Sequence, residues 1–216
     1  MSDSYQTPEA LMLLGTHCPH CPTMLSILSD FVKQGVIASL DVVNLEKKPD
    51  IAEQLGVRTV PWVRIGWFEL EGLHSKKELQ QWAELAGSSE GAIAYFSEVL
   101  AAGQVNKVLS ILKAHAELMP YMFDLLADAE AKINIRLGVG VIMEEYADDA
   151  VFTQYIPKLG ELTQHQDARV RSDACHYLSL TGNESALPFI KALLDDESAE
   201  VREVAEESLV DLNSSH

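Results

Sequence analysis

Two cysteines two residues apart, in Cys18-Pro19-His20-Cys21, are the side chains whose type and spacing are best suited to chemistry. A thiolate is the attacking form of cysteine, and a second thiol about a helical turn away can resolve the mixed disulfide that the first one makes. The motif follows a short apolar run, Ala10-Leu-Met-Leu-Leu-Gly-Thr16, which reads as a buried strand. It precedes Met24, Leu25, Ile27, Leu28, Phe31 and Val32, which recur with helical spacing until Gly35. Cys18 is therefore expected near a helix N-terminus, where unpaired N–H groups and the positive helix end stabilise a thiolate. Pro19 suits a first helical turn, and a protonated His20 adds positive charge beside Cys18. These residues assign attack to Cys18, resolution to Cys21 and tuning to His20. Zinc is the competing use of such a pair. A structural zinc site wants four ligands, no second CxxC exists, and His17 and His20 are too constrained by adjacency to complete a tetrahedron. No metal and no cofactor are expected.

The elements that must position this pair follow in order. Ser39-Leu-Asp-Val-Val-Asn-Leu45 reads as a second strand, and Pro49, Ile51, Leu55 and Gly56 mark a short helix. Thr59-Val-Pro-Trp-Val-Arg-Ile65 and Phe68-Glu-Leu-Glu71 form two strands of a hairpin turning at Gly66-Trp67. Ser75, with Glu78 three residues on, caps a helix from Lys76 to Ala86 that places Leu79, Trp82 and Leu85 on one side. The order β-α-β-α-β-β-α makes a mixed sheet with helices on both faces.

With Thr16-His-Cys-Pro-His-Cys21, Asn44-Leu-Glu, Leu55-Gly-Val-Arg-Thr-Val-Pro61 and Glu71-Gly-Leu-His-Ser-Lys in place, residues 10–86 resemble the thioredoxin superfamily. The CPHC dipeptide choice resembles that of bacterial disulfide oxidases. The resemblance implies a cis proline at Pro61 packed opposite the cysteines, with the backbone of Val60 pairing to an incoming peptide strand. Trp62, next to Pro61, stands either as a substrate platform or as a core residue of its strand. The chain departs from the family's pattern in two ways. His17 stands where thioredoxins carry a Trp, and Met12 and Val42 occupy the strand positions of the buried carboxylate and its lysine neighbour. No glutathione signature follows Pro61.

Gly87-Ser-Ser-Glu-Gly91 reads as a linker, which divides the chain into residues 1–88 and 89–216. No strand pattern follows it, only helix-length segments expected to break at Gly103, Pro120, Gly160 and Gly182. This half repeats at a spacing of 31: Pro157 with Pro188, Leu159 with Ile190, Leu162 with Leu193, Val170-Arg171 with Val201-Arg202, Ala174 with Ala205, Leu178 with Leu209. Pro120 and Ile135-Arg136 belong to a degenerate earlier copy. Such repetition marks stacked helix hairpins, because one helix pair cannot bury its apolar stripe alone. Roughly residues 92 to 212 resemble HEAT-type repeats, forming an all-α solenoid. In that resemblance Arg171 and Arg202 bond to carboxylates or helix ends of neighbouring repeats. Cys175 reads as a small packing residue.

The formal net charge of −17 disfavours nucleic acid, since binding phosphates needs a surplus of Lys and Arg on at least one face. Acidity is uneven: −4 for residues 1–88 and −13 for the remainder. The first dozen residues carry no leader pattern and no segment has the length of a membrane span, so the expected setting is a reducing cytoplasm without a membrane partner. The leading expectation is a thiol-disulfide oxidoreductase acting on a protein client, recycled by a separate reductant or oxidant, with the repeats recognising the client. The alternative is a non-catalytic adaptor or assembly factor whose two domains both bind protein partners.

Overall fold

The structure, a computed structural model, describes residues 7–147 and 149–214. Part of the N-terminal stretch on which the leader reading rests, residues 1–6, lies outside them. Packing divides the chain into two compact units, one ending at Tyr95 and the other beginning at Phe96.

The first unit runs β1 (Ala10–Leu14), α1 (Cys21–Gln34), β2 (Leu40–Asn44), α2 (Pro49–Gln54), β3 (Trp62–Ile65), β4 (Phe68–Glu71) and α3 (Lys76–Leu85). The sheet order is β2-β1-β3-β4, with β2 parallel to β1 and the remaining pairs antiparallel. Central β1 buries Met12 and Leu13 completely. Its apolar run needs both faces covered, whereas edge strand β2 leaves Val42 exposed. α1 ends because Gly35 adopts φ +71°, letting its N–H and that of Val36 close on the Val32 and Phe31 carbonyls. The β3–β4 hairpin turns at Gly66, with Ile65 opposite Phe68. The capping box of α3 forms as expected: Glu78 N–H donates to Ser75 Oγ at 3.2 Å, and Ser75 N–H donates to Glu78 Oε2 at 2.7 Å.

The polar stretch at residues 87–91 is not an open linker. α4 (Ser89–Ala101) begins within it, and Ser88 joins the two helices. Its Oγ donates to the Leu85 carbonyl at 2.8 Å and accepts the Gly91 N–H at 3.0 Å. Gly91 is required there, since a Cβ would collide with the Leu85 carbonyl. The small polar residues that suggested a linker are a tight helix-to-helix joint. Tyr95, further along α4, belongs to the first unit by its contacts. Its ring packs among Trp67, Phe68 and Trp82 at centroid distances of 5.1–5.6 Å. Its hydroxyl donates to the Glu69 carbonyl at 2.9 Å and accepts the Glu69 N–H at 3.1 Å, covering backbone on edge strand β4.

The second unit is helical: α5 (Val105–Ala114), α6 (Pro120–Ala127), α7 (Ile133–Ala147), α8 (Ile156–Leu162), α9 (Ala168–Leu180), α10 (Leu187–Ala192) and α11 (Ala199–Ser214). Pro157 and Pro188 each sit in the first turn of their helices, where no backbone donor is lost. Val170, Val201, Ala174 and Ala205 are fully buried. The repeat loosens at its end, where Leu178 is buried while Leu209 is half-buried, and Ser208 and Leu212 turn inward in α11 instead. Gly103 and Gly182, both at positive φ, do punctuate helices, but two of the expected breaks differ. Pro120 starts α6, and Gly160 lies inside α8, where the Phe189 ring occupies the space of a Cβ.

The repeat arginines stitch these turns together. Arg171 Nε and Nη2 donate to the two Asp196 carboxylate oxygens at 2.8 Å each, both side chains being 8% exposed. Its Nη1 donates to the carbonyls of His165 and Gln166. Arg202 Nη1 donates to the carbonyls of Asp196 and Glu197, the same positions one repeat later. Cys175 is buried, hydrogen-bonded to Ser208, and its thiol is pushed up by burial, as befits packing.

Candidate active site

The register of three strands brings the site together. Parallel pairing sets Leu14 beside Asn44, so the chain leaving β1 and the chain leaving β2 emerge at the same end of the sheet. Antiparallel pairing of Leu13 with Trp62 brings the start of β3 to that end as well. Gly15 lies among the three segments. A Cβ there would lie 3.4 Å from Val60 Cγ2, 3.8 Å from Glu46 Oε1 and 3.9 Å from Cys18 Cβ.

Cys18 and Cys21 are joined as a disulfide with Cα atoms 5.5 Å apart. Cys21 is buried and is the first residue of α1, whereas Cys18 is half-buried in the preceding turn. The helix thus starts after Pro19, which the sequence suited to its first turn. Pro22 takes the first-turn position, exposed His20 is the N-cap, and Pro19 lies in the turn outside the helix. Because the Cys18 sulfur is bonded to that of the helix's first residue, it still lies at the positive end of α1. His17 and His20 are both exposed to solvent beside it.

The Val60-Pro61 peptide bond is cis. Pro61 is buried, and its carbonyl accepts the Gly72 N–H at 2.9 Å. Half-buried Val60 makes no backbone hydrogen bond among the described residues. Trp62 does not sit at the surface of the site: its side chain is 1% exposed, so it is core and offers no platform to a substrate. Trp67, at the hairpin turn, packs tilted against Phe68 and edge-on against Tyr95.

A second set of residues holds the turn that carries Cys18. Glu46 Oε1 accepts the Thr16 N–H at 2.9 Å, the Asn44 side-chain amide donates to Thr16 Oγ1 at 3.1 Å, and Glu46 N–H donates to Asn44 Oδ1 at 2.9 Å. Hydrogen bonds from Thr16, with His17 nearby, hold the Glu46 carboxyl below the usual carboxylate range. Neither the Glu46 carboxylate nor its tie to Thr16 was assigned a role from sequence. The parallel register of β1 with β2, which carries residues 15–16 opposite 45–46, is what brings them together. Among the described residues, no group of three or more His, Cys, Asp or Glu side chains is arranged to hold a metal ion.

Residues 10–84 match the family model of the thioredoxin domain, and residues 120–210 match that of HEAT repeats. The chain carries a thioredoxin domain followed by HEAT repeats. No curated protein matches this sequence. The thioredoxin match ends within α3 and spans the cysteine pair, Glu46 and Val60-Pro61 alike. The HEAT match opens at Pro120, so the earlier, degenerate copy falls within it along with the two regular repeats. Repeats of this kind support protein–protein interaction. Among the described residues, no helix is long and apolar enough to cross a membrane.

Proposed function

We propose that the thioredoxin domain performs thiol-disulfide exchange on a protein client in a reducing cytoplasm, with the HEAT repeats recognising that client. The observation that carries the reading is the convergence of the Cys18–Cys21 pair with the Val60-Pro61 segment around Gly15. In the reduced state the Cys18 thiolate attacks a client disulfide and expels one client thiolate. Cys21 then attacks the Cys18 sulfur, releasing the second client thiolate and closing the Cys18–Cys21 disulfide, so two electrons pass to the client. Run in reverse, a client dithiol is oxidised. A separate thiol or disulfide partner resets the pair. The helix start favours the Cys18 thiolate, and exposed His20 beside it adds positive charge when protonated. The backbone N–H and C=O of Val60 pair with the client strand flanking its cysteine.

The adaptor reading draws on one observation: Met12 is a buried apolar residue on β1 where a proton-transfer carboxylate is expected. Insulin reduction by the wild type and by Cys18→Ser, together with an ultraviolet thiolate titration of the reduced chain, separates the two readings. Exchange requires turnover that Cys18→Ser abolishes and a Cys18 pKa below about 8.5, the value of a free thiol. A Cys18 pKa at that value with no turnover selects the adaptor.

A further inference from the structure

Helix α7 is apolar on two faces. Ile135, Val139, Ile142 and Met143 are buried, as a repeat helix requires. Ile133, Leu137 and Val141, spaced four apart along the other side, are 71%, 65% and 48% exposed. They are three of the seven large apolar side chains that stand exposed among the described residues. A helix apolar all round is normally covered all round, and a contiguous exposed stripe marks a contact surface.

The stripe borders a groove of about 430 Å³ that α7 forms with α9 and the start of α11. Two of its hydrogen-bonding atoms are buried and unpartnered: Arg136 Nη1 and Ser172 Oγ, the Ser172 residue being 9% exposed. A buried donor without a partner costs about 1–3 kcal/mol, which an incoming acceptor can recover. The second terminal nitrogen of Arg136, Nη2, donates to Asp173, and Arg169 donates to Asp167 and to the Ala129 carbonyl. That leaves Glu144 and Glu200 as the charged groups lining the groove without an ion-pair partner among the described residues. Both are acidic and exposed, in a half of the chain whose net charge is −13.

The geometry points to this groove as the docking site for a basic amphipathic helix of the client protein. Its apolar face covers Ile133, Leu137 and Val141, its lysines or arginines reach Glu144 and Glu200, and acceptors on it take up Arg136 Nη1 and Ser172 Oγ. A helix laid in a groove is read through apolar anchors on one of its faces, and Ile133, Leu137 and Val141, at i, i+4 and i+8, offer such an anchor a single apolar face of α7. This deepens the recognition half of the function proposed above and rests on it.

The test uses the full-length chain and a fluorescein-labelled synthetic helix of about 18 residues, with leucines at i, i+4, i+7 and i+11 and lysines flanking them. Anisotropy is expected to rise saturably at low ionic strength. Leu137→Glu, at an exposed position where the fold is not at risk, weakens binding about tenfold or more. Glu144→Lys with Glu200→Lys weakens the lysine helix about three- to fivefold and strengthens the same helix rebuilt with glutamates. Three results overturn the proposal: no binding, equal binding of the lysine and glutamate helices, or indifference to Leu137→Glu. A fourth is a wild-type dimer in sedimentation velocity that Leu137→Glu dissolves, which makes the stripe a self-association face. Insulin turnover measured on the same samples keeps the two claims apart. Loss of peptide binding with turnover intact sinks the groove alone, and peptide binding without turnover sinks the redox reading alone.

Discussion

The two units use their polar side chains in opposite ways. In the thioredoxin domain the bonds among Glu46, Thr16 and Asn44 lie in water at the end of the sheet, where each contributes little to stability but fixes the turn that carries Cys18. In the HEAT repeats the Arg171 and Asp196 side chains are taken out of water, and removing Arg171 leaves the Asp196 carboxylate without its bidentate partner. The repeat arginines are therefore structural, as the resemblance to HEAT-type repeats implied. The carboxylate to which the sequence assigned no role, Glu46, faces Cys18 across Gly15. The docking surface proposed on α7 rests on a different feature: an apolar face and polar groups left unmatched, beside the two glutamates Glu144 and Glu200.

All three tryptophans, Trp62, Trp67 and Trp82, lie in the thioredoxin domain, while most of the helical signal comes from the repeats. Tryptophan fluorescence and far-ultraviolet circular dichroism therefore report on different units, which lets the comparison be broken at either side. The largest effect expected is on chemistry: Cys18→Ser reduces insulin turnover to background without moving the urea transition seen by circular dichroism. Next is Arg171→Leu, which strands Asp196 and is expected to cost about 3 kcal/mol. It shifts the circular dichroism transition and leaves both the fluorescence transition and the turnover of folded protein in place. A loss below about 1 kcal/mol would mean that the repeat arginines act as surface groups, and the contrast between units would fail. Gly91→Ala should show the reverse signature. The added methyl meets the Leu85 backbone carbonyl, which cannot swing aside as a side chain can, so about 2 kcal/mol is lost, read by fluorescence.

How much of this was legible in the sequence follows the range of the interactions. The cysteine pair, the capping box at Ser75 and Glu78 and the 31-residue repeat are written in short or periodic patterns, and each appears where the pattern places it except at Leu209, the last position of the repeat. The start of α1 at Cys21 rather than nearer Cys18 depends on a turn at residues 15–20 that the apolar spacing does not encode. The joint at Ser88 carries the composition of a linker, because a capping serine and a glycine at a close approach use the same residues as a flexible segment. Trp62 could be sorted into core or surface only after the sheet order put β3 in its interior. Glu46 needed more still, since its partner is 30 residues away across a parallel pairing whose register no local signal sets.

Glu46→Gln is the finest test of the contrast, because the substitution keeps an oxygen that can accept the Thr16 N–H and removes only the charge. The carboxyl is held below its ordinary value in the folded chain, so it binds its proton less readily there than in the unfolded chain. Its contribution is fully present above the ordinary carboxylate range and is lost as pH falls through the lowered folded value. Wild type and Glu46→Gln should therefore differ slightly in their fluorescence-detected urea midpoints at neutral pH and converge under acid conditions. The exposed setting keeps that stability difference small. The effect on the thiols is the sharper readout. Glu46 Oε1 and Cys18 Cβ flank the same point at Gly15, so loss of the negative charge favours the thiolate and the Cys18 pKa in the reduced variant should fall. If the pKa rises instead, the hydrogen-bonded position of Thr16 matters more than the field of the carboxylate, and Glu46 acts on the site by holding the turn.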